Sequence, residues 1–396
     1  MKAMINKRTL EHFKGCLIGG AIGDALGAPI EFLSIDQIRS NFGERGLADY
    51  SKAYGRLGAI TDDTQMTLFT AEGLILSKVR QEYQGDQGVI LAGYHALLRW
   101  LYTQEINRQD NLIQNHGTCS IIDGVLTGHK ELFSLRAPGN SCLSSLRSGK
   151  MGTMENPVND SKGCGGVMRM APVGLAYDDA EKAFHFGCKL AAITHGHPAG
   201  YLAAGTLASL ISLIISGSPL TEAIENSTLL LKADKNHKGT LKAIGNALDR
   251  VGAKTPEPEV IEKIGAGWIA EEALAISLYC SLVAGDDFKK GVLLSVNHSG
   301  DSDLTGSITG NILGALYGLD GIPDNWKMNL ELKDLIEEMA VDLFDRFKWK
   351  MVRLVNQHIL FLSRTRWLSS AFIITWQWWH TIRNLWTFPV KSNLSQ

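Results

Sequence analysis

The chain has 396 residues, of which 45% belong to the hydrophobic set and 20% are charged. This composition is typical of a globular protein, and it excludes a disordered chain, a collagen and a small disulfide-stapled scaffold. Lys and Arg number 39 against 41 Asp and Glu, so the net charge of −2 gives no electrostatic reason to expect a nucleic-acid partner.

Cysteine usage and apolar runs bear on where the protein works. The six cysteines are scattered without a C-x-x-C pair, and residues 1–14 lack the apolar core of a secretory signal. We therefore expect reduced thiols and a cytoplasmic location. The body of the chain shows no run of 18 uncharged apolar residues, so we predict no membrane partner for it.

The charge distribution divides the chain after residue 346. Residues 1–346 hold every acidic residue and carry a net charge of −9, whereas residues 347–396 hold seven basic residues and six of the nine tryptophans. We predict a main domain over 1–346 and a separate basic, Trp-rich tail over 347–396. Such a tail is explained by a segment that lies on a membrane surface or covers an apolar groove, and equally by an altered reading frame. Its partner stays open.

The spacing of apolar residues predicts a succession of helices rather than strands. Helices are predicted over residues 64–80, 198–216, 220–233, 239–251, 266–283 and 303–318. Alternation with a period of two is hardly seen, and alternating strand–helix units are missing. We therefore predict an all-α fold, a compact globule of many helices.

The first segment of note, residues 15–27, has glycines at positions 15, 19 and 23. No strand precedes these glycines and no Rossmann unit follows, so the pattern favours close helix packing over a dinucleotide site. Glu31 follows shortly afterwards and is the one acidic residue here in a loop-like setting.

Two adjacent carboxylates flanked by hydroxyl groups follow at Thr61-Asp62-Asp63-Thr64, where a helix begins. An oxygen-only set of ligands suits Mg²⁺ or Mn²⁺ better than zinc. The same residues would also serve as helix caps, accepting hydrogen bonds from free N–H groups and complementing the helix dipole. Taken alone, the segment leaves both interpretations open.

The middle of the chain holds two polar turns and a histidine pair. The glycine-rich residues 162–169 could bind a phosphate or diphosphate through successive backbone N–H groups, and an ordinary tight turn explains them equally. Residues 139–142 form another polar turn. His195 and His197 lack a third zinc ligand at a familiar spacing, so His195 either faces a polar ligand or is structural.

A second acidic helix start lies at Asp301 and Asp303, two residues apart among small residues. This spacing lets both carboxylates converge on one cation, and no glutamate follows at the distance that an EF-hand requires. A capped helix start is again the alternative. Two such starts in one chain favour a shared site, in which a pair of ions would be clamped between them.

Five segments, taken in order, resemble the ADP-ribosylglycohydrolase family. They read GCLIGGAIGDALGAPIEF, TDDTQMTLFTAEGL, KGCGGVMRMAPVGL, THGHPAGYLAAG and NHSGDSDLTGSITGNILGALYG. The resemblance covers residues 11–326. It implies an all-α fold around two Mg²⁺ or Mn²⁺ ions and metal-dependent hydrolysis of the N-glycosidic bond between ADP-ribose and a protein side chain, with arginine favoured as the acceptor.

The resemblance also implies roles for particular residues. The implied metal ligands are Thr61, Asp62, Asp63, Asp301 and Asp303. Glu31 is implied as a gating or acid–base residue, and Asp62 or Asp303 is the candidate for accepting a proton. The implied substrate-binding residues are Gly163, Cys164, Gly165, Gly166, Val167 and Met168 for the diphosphate, His195 for the ribose, and Gly139, Asn140 and Ser141 for the adenosine side.

Leu304 departs from the family pattern, in which a serine or threonine commonly provides a further metal ligand. Thr305 comes one residue later and would point about 100° away on a helix. We therefore expect the second ion to be held weakly or to be completed by water. This departure leaves an alternative function open, that of a catalytically weakened family member that binds or occludes a partner protein.

Overall fold

The computed structural model describes residues 6–104, 124–252 and 257–348, with side chains described throughout these ranges except at 79–84 and 346–348. Almost all of the predicted tail over 347–396 therefore lies outside the described residues, and the two-part division stays a prediction. The described cysteines, namely Cys16, Cys142, Cys164, Cys188 and Cys280, are free thiols.

Helices account for most of the described chain, and the all-α prediction is confirmed. They are α1 Leu10–Gly27, α2 Ile35–Phe42, α3 Asp62–Gln104, α4 Asn140–Arg147, α5 Ala171–Ala176, α6 Ala180–Ala192, α7 Pro198–Ile215, α8 Leu220–Lys232, α9 Lys238–Leu248, α10 Pro258–Ile261, α11 Ala270–Ala284, α12 Phe288–Val296, α13 Ser302–Tyr317, α14 Asp324–Asn329 and α15 Lys333–Lys348. The strands of the described residues are β1 Lys52–Ala53 and β2 Arg56–Leu57, paired antiparallel.

Most predicted helices begin and end close to the observed ones, and α3 is the main exception. It was predicted to end near residue 80 and extends to Gln104. The path bends at Gly85, whose φ of +56° is a conformation that glycine adopts without steric cost. Two helical segments therefore follow one another across a glycine bend.

The glycines of α1 pack directly on those of α13, as the spacing at positions 15, 19 and 23 predicted. The facing pairs are Gly15 with Gly314, Gly19 with Gly310, and Gly23 with Gly306. A methyl group on Gly15 would lie only 2.5 Å from the Gly314 carbonyl oxygen, so the two backbones touch. We call this contact the glycine seam. It runs antiparallel and brings the start of α13, at Asp303, against Gly27 at the end of α1.

Helix α7 has the length and hydropathy of a membrane span, which we did not expect from the sequence. Its 18 residues have a mean hydropathy of 1.7, and 89% of them are buried inside the protein. The helix packs on α5, α6 and α8. A helix in the core of a soluble protein has the same length and hydropathy, because apolar neighbours surround it on all sides.

Candidate active site

The glycine seam ends at a group of buried carboxylates. Carboxylate oxygens of Glu31, Asp301 and Asp303 lie within 4.8 Å of one another, and all three side chains are buried. Asp62 and Asp63 at the start of α3 and Asp24 of α1 are also buried, and each interacts electrostatically with Asp303. We call these residues the acidic cluster: Asp24, Glu31, Asp62, Asp63, Asp301 and Asp303.

The start of α3 is capped from another helix by Asp24, a residue for which the sequence analysis predicted no role. The N–H of Thr61 lies 3.0 Å from both carboxylate oxygens of Asp24, and the N–H of Thr64 donates to one of them at 3.1 Å. The Thr64 hydroxyl donates to the same oxygen. Asp24 therefore takes over much of the capping, and one oxygen of Asp63, Oδ1, is left buried without any partner.

An ion pair between Glu331 and Arg136 also holds this turn. The buried carboxylate of Glu331 accepts a hydrogen bond from the Ile60 N–H at 3.1 Å and pairs with the Arg136 guanidinium. Arg136 in turn donates to the Ile60 carbonyl at 2.8 Å, and its own carbonyl accepts from the Asp62 N–H at 3.2 Å. Neither residue was singled out from the sequence.

The second acidic helix start is held mainly by backbone contacts. The Asp301 N–H donates to the Ala266 carbonyl at 2.9 Å. Gly300, with φ of +143°, lies so close to Ala266 that a methyl group there would overlap the Ala266 carbonyl. The Cys164 thiol donates to the Asp301 carboxylate at 2.9 Å, which joins the glycine-rich turn to the acidic cluster.

Leu304 follows Asp303 and is only 2% exposed, packed within the apolar core. The Thr305 hydroxyl lies 2.7 Å from the Ser295 carbonyl and 2.8 Å from the Asp301 carbonyl, and it also contacts His298 Nε2 at 2.9 Å. Its hydrogen-bonding capacity is thus used within the protein. Thr305 does not supply the hydroxyl ligand that Leu304 lacks.

Burial and mutual repulsion both act on the acidic cluster. Burial raises the pKa of every carboxyl in it, and the charge of Asp303 adds to this effect at the other five. The pKa of Asp24 rises to about 7 and that of Glu31 to about 10. Glu31 Oε2, like Asp63 Oδ1, is buried without a partner. A divalent cation with a preference for oxygen ligands would satisfy both the charge and these atoms, so the residues present fit such an ion.

The glycine-rich turn at Gly163–Met168 contains a short 3₁₀ turn, Cys164–Gly166. Its Gly163 N–H donates to Ser161 Oγ at 3.2 Å, and its Cys164 N–H donates to the Trp268 carbonyl at 3.3 Å. The N–H groups of Val167 and Met168 both bond to the Cys164 carbonyl. These contacts fix the turn beside Asp301, and the predicted binding of a diphosphate there stays a prediction.

His195 lies beneath the same turn. It is 1% exposed, and burial, with a smaller contribution from Arg169, lowers its pKa to about 3, so the imidazole is neutral. Its Nδ1 lies 2.9 Å from Thr194 Oγ1, and a methyl group on Gly166 would meet the ring at 3.3 Å. The geometry shows a histidine that supports the turn, and the predicted ribose contact is not tested by it.

The segment Gly139, Asn140 and Ser141 was predicted as a polar turn, but the structure shows it as the start of α4, and it contacts the acidic cluster. The Gly139 N–H donates to the Asp62 carboxylate. Ser141 Oγ lies 2.7 Å from Ser161 Oγ, next to the glycine-rich turn. His197 accepts a hydrogen bond from the Ala199 N–H at 3.1 Å and thereby caps α7, so it has no part in the cluster. The structure thus joins Gly139 to Asp62 and Cys164 to Asp301, and it places His195 against the glycine-rich turn.

The chain is similar to known proteins over most of its length. The family model described as ADP-ribosylglycohydrolase matches residues 6–351. ADP-ribosylhydrolase ARH3 of Homo sapiens is 23% identical over 379 residues, covering 86% of this chain and 95% of that protein. ADP-ribosylarginine hydrolase Tri1 of Pseudomonas putida is 24% identical over 353 residues, covering 86% and 80%. A solved structure titled ADP-ribosylglycohydrolase-related protein complex has a TM-score of 0.58 and 25% identity, covering 87% of this chain and 100% of that chain.

Proposed function

Because the chain belongs to the ADP-ribosylglycohydrolase family, we propose that it releases ADP-ribose from modified arginine side chains of proteins with the help of two divalent cations. The hydrolysis of an ADP-ribosyl bond follows from family membership itself. Beyond this, we propose that arginine is the acceptor, that the cation is Mg²⁺ or Mn²⁺, and that the protein acts in the cytoplasm.

The observation that carries the proposal is the acidic cluster with its unpartnered oxygens on Glu31 and Asp63. Buried carboxylates that repel one another are unfavourable unless a cation or protons neutralise them. The residues that would hold the cations are Thr61, Asp62, Asp63, Asp301 and Asp303. When bound, the cations would supply the positive charge that orients ribose hydroxyls and lowers the pKa of a water molecule.

The chain's own residues would handle the protons. Cleavage of the glycosidic bond builds oxocarbenium character at the anomeric carbon, and a water molecule must lose a proton as it attacks. We assign the acceptance of that proton to Asp62 or Asp303. To Glu31, whose carboxylate oxygens lie within 4.8 Å of those of Asp301 and Asp303, we assign the transfer of a proton to the departing guanidine nitrogen.

Two observations favour arginine as the acceptor. The acidic cluster creates a negative potential that attracts a guanidinium group. The Pseudomonas putida relative is named an ADP-ribosylarginine hydrolase, and its similarity extends over 86% of this chain. An ADP-ribosylated protein is therefore the proposed partner, with no part for nucleic acid or membrane.

The test is release of ADP-ribose from an arginine-ADP-ribosylated protein with Mg²⁺, with Mn²⁺ and with a chelator. We expect release with metal, none with chelator, and none from Asp62→Ala or Asp303→Ala. Asp249→Ala, which removes an exposed carboxylate at the end of α9, serves as the control and should keep full activity. Release that continues in chelator, or that occurs only from other linkages, would contradict the proposal.

Leu304 favours a second candidate, a family member with weakened catalysis that binds or occludes a modified protein. The buried leucine supplies no oxygen ligand, and the Thr305 hydroxyl is engaged elsewhere. A folded protein that binds ADP-ribose but releases none from any linkage would support this candidate over the hydrolase.

A further inference from the structure

Cys164 presents a thiol to the acidic cluster. Its Sγ donates a hydrogen bond to Asp301 Oδ2, with 2.9 Å between the two atoms. Of the cysteines that the structure describes, Cys164 is partly exposed, whereas the other four are buried. A solute that enters the site from solvent can therefore reach this thiol.

The backbone of Cys164 is already engaged within the protein. The Cys164 N–H donates to the Trp268 carbonyl at 3.3 Å. The Cys164 carbonyl accepts hydrogen bonds from the N–H groups of Val167 and Met168. These contacts fix the turn, so the thiol is the group of Cys164 that remains to contact a ligand beside Asp301.

Asp301 also belongs to a compact group of carboxylates. Oxygens of Glu31, Asp301 and Asp303 lie within 4.8 Å of one another. Glu31 is only 6% exposed, and its Oε2 has no hydrogen-bond partner among the described residues. A buried carboxylate oxygen without a partner is unfavourable, and a cation within this group would satisfy it. Asp301 therefore connects the thiol of Cys164 to a group of oxygens that fits a cation.

The distance between the thiol and Asp301 suits two ligands of one cation. Zinc binds thiolate sulfur at ~2.3 Å and carboxylate oxygen at ~2.1 Å, which places the two donor atoms ~3.6 Å apart at a tetrahedral ion. The observed 2.9 Å differs from this separation by ~0.7 Å, a change within reach of rotation of the cysteine side chain. The cation would take the place of the proton that the thiol now shares with the carboxylate.

We propose that Cys164 Sγ is a ligand of the cation bound at Asp301, and that this sulfur–oxygen pair selects a borderline cation such as Zn²⁺ over Mg²⁺. This inference rests on the proposed function, which places divalent cations in the acidic cluster. Thiolate ligands favour Zn²⁺, whereas Mg²⁺ is bound through oxygen and gains little from sulfur. As the metal–sulfur bond forms, the thiol proton leaves to solvent.

A purely structural thiol would behave differently, because it would act only by orienting Asp301 through its hydrogen bond. Serine keeps a hydrogen-bond donor of similar size at this position, but it offers Zn²⁺ a hydroxyl in place of a thiolate. Cys164→Ser therefore separates the two roles, since it removes the metal–sulfur bond and preserves the hydrogen bond.

The first test titrates Co²⁺, a spectroscopic substitute for Zn²⁺, into the full chain in a buffer without thiols. A cobalt–thiolate bond gives a charge-transfer band in the near ultraviolet, whereas cobalt bound only to oxygen does not. We expect the band in the unaltered protein and its loss in Cys164→Ser. Two controls should keep the band: Cys142→Ala, which removes the buried thiol next to the Gly165 carbonyl, and Cys119→Ser, at the cysteine outside the described residues.

Asp301→Asn tests whether the sulfur and the carboxylate bind the same ion. We expect the band to disappear in this variant, because a single thiolate is a weak site by itself. Thermal unfolding checks that each variant is folded, and Cys164→Ala takes the place of Cys164→Ser if the serine variant does not fold. Absence of the band from the unaltered protein, or its persistence in Cys164→Ser or Asp301→Asn, would overturn the proposal.

Calorimetry with Zn²⁺ and with Mg²⁺ measures the selectivity of the site. Cys164→Ser should weaken Zn²⁺ binding at least about tenfold and change Mg²⁺ affinity less than about twofold, because only Zn²⁺ loses a favoured donor. Cys142→Ala should change neither affinity. Equal weakening of both cations in Cys164→Ser would assign Cys164 a structural role and overturn the proposal.

Measurements on the unaltered protein separate failure of this inference from failure of the proposed function. Release of ADP-ribose from arginine-linked substrate with Mg²⁺, without a charge-transfer band in Co²⁺, would retain the function and overturn the thiol ligand. A band that depends on Cys164, without release of ADP-ribose from arginine, would retain the thiol ligand and overturn the function.

Discussion

The two acidic helix starts present carboxylates to one site but are held by different interactions. The start of α3 is fixed by side-chain hydrogen bonds and charge, which Asp24 and Glu331 provide. The start of α13 is fixed by close backbone contact, because the glycine seam and Gly300 allow it to touch its neighbours. The first should therefore be sensitive to loss of charge, and the second to added volume.

The largest effect should come from adding volume to the glycine seam. Gly23→Ala places a methyl group against the Gly306 carbonyl. Because the methyl group meets the backbone of another helix and not a flexible side chain, the two helices would have to move apart. We expect a loss of about 3 kcal/mol in the free energy of unfolding, measured with urea. Gly245→Ala is the matched control, because its methyl group meets nothing within 4 Å and should stabilise α9 by about 0.5–1 kcal/mol. Equal stability of the two variants would show that the seam is not tightly packed.

The next largest effect is expected on how Mg²⁺ changes the stability of the protein at different pH values. Burial and Asp303 raise the pKa of Asp24 from 3.8 to about 7, so in chelator the folded protein keeps a proton that the unfolded chain releases. The contribution of Asp24 to stability is therefore present below about pH 4 and is lost as the pH rises through 7. Bound cations reverse this cost, because deprotonated carboxylates are their ligands.

We accordingly expect the increase in thermal midpoint produced by Mg²⁺ to be several degrees larger at pH 8 than at pH 5. Differential scanning fluorimetry in Mg²⁺ and in chelator at both pH values measures it. The increase should vanish in Asp303→Ala and persist in Asp249→Ala. A stabilisation by Mg²⁺ that is independent of pH would speak against a cation bound by the cluster.

A smaller effect is expected from neutralising the ion pair beside α3. Glu331→Gln keeps the shape of the side chain but removes the charge that pairs with Arg136, which should cost about 2 kcal/mol of stability. Because this pair positions Ile60 and Asp62, we also expect Mg²⁺ affinity, measured by calorimetry, to fall severalfold.

The matched control for that variant is Glu72→Gln, which neutralises the buried ion pair between Glu72 and Arg99 farther along α3. It should lose comparable stability while Mg²⁺ affinity is unchanged. If both variants lose Mg²⁺ affinity equally, the effect is general destabilisation and Glu331 has no positioning role.

The smallest effect should follow from restoring a hydroxyl next to Asp303. Leu304→Ser offers an oxygen at the position where the resemblance places a metal ligand, and we expect a gain of about fivefold in Mg²⁺ affinity, the value of one net polar contact. Leu304→Ala removes the same apolar volume without the hydroxyl and serves as the control. A Leu304→Ser variant that gains neither affinity nor turnover would refute the idea that Leu304 weakens the site.

Local sequence patterns were sufficient to predict most of the helices and the residues at the two acidic helix starts. Helical periodicity predicted an all-α fold. The carboxylates and hydroxyl of Thr61–Asp63 predicted a helix start, because such side chains cap helices, and also a metal site, because the same oxygens bind cations. The spacing of Gly15, Gly19 and Gly23 predicted close packing. Asp24 could also have been predicted as a functional residue, since it is the one charged residue within the apolar segment 15–27.

Tertiary structure decided which distant groups meet at the site. Asp24 caps a helix 37 residues away, and Glu331 bonds to Ile60 across 271 residues. Local spacing holds no information on such pairs, because they depend on how whole helices pack. The sequence by itself therefore determined the elements and their chemistry, through short-range sterics and hydrogen bonding. Packing of the glycine seam places the start of α13 at the end of α1, and Asp24 of α1 holds the start of α3 there. These tertiary contacts bring the two acidic starts to one buried position, where a cation would relieve the repulsion between their carboxylates.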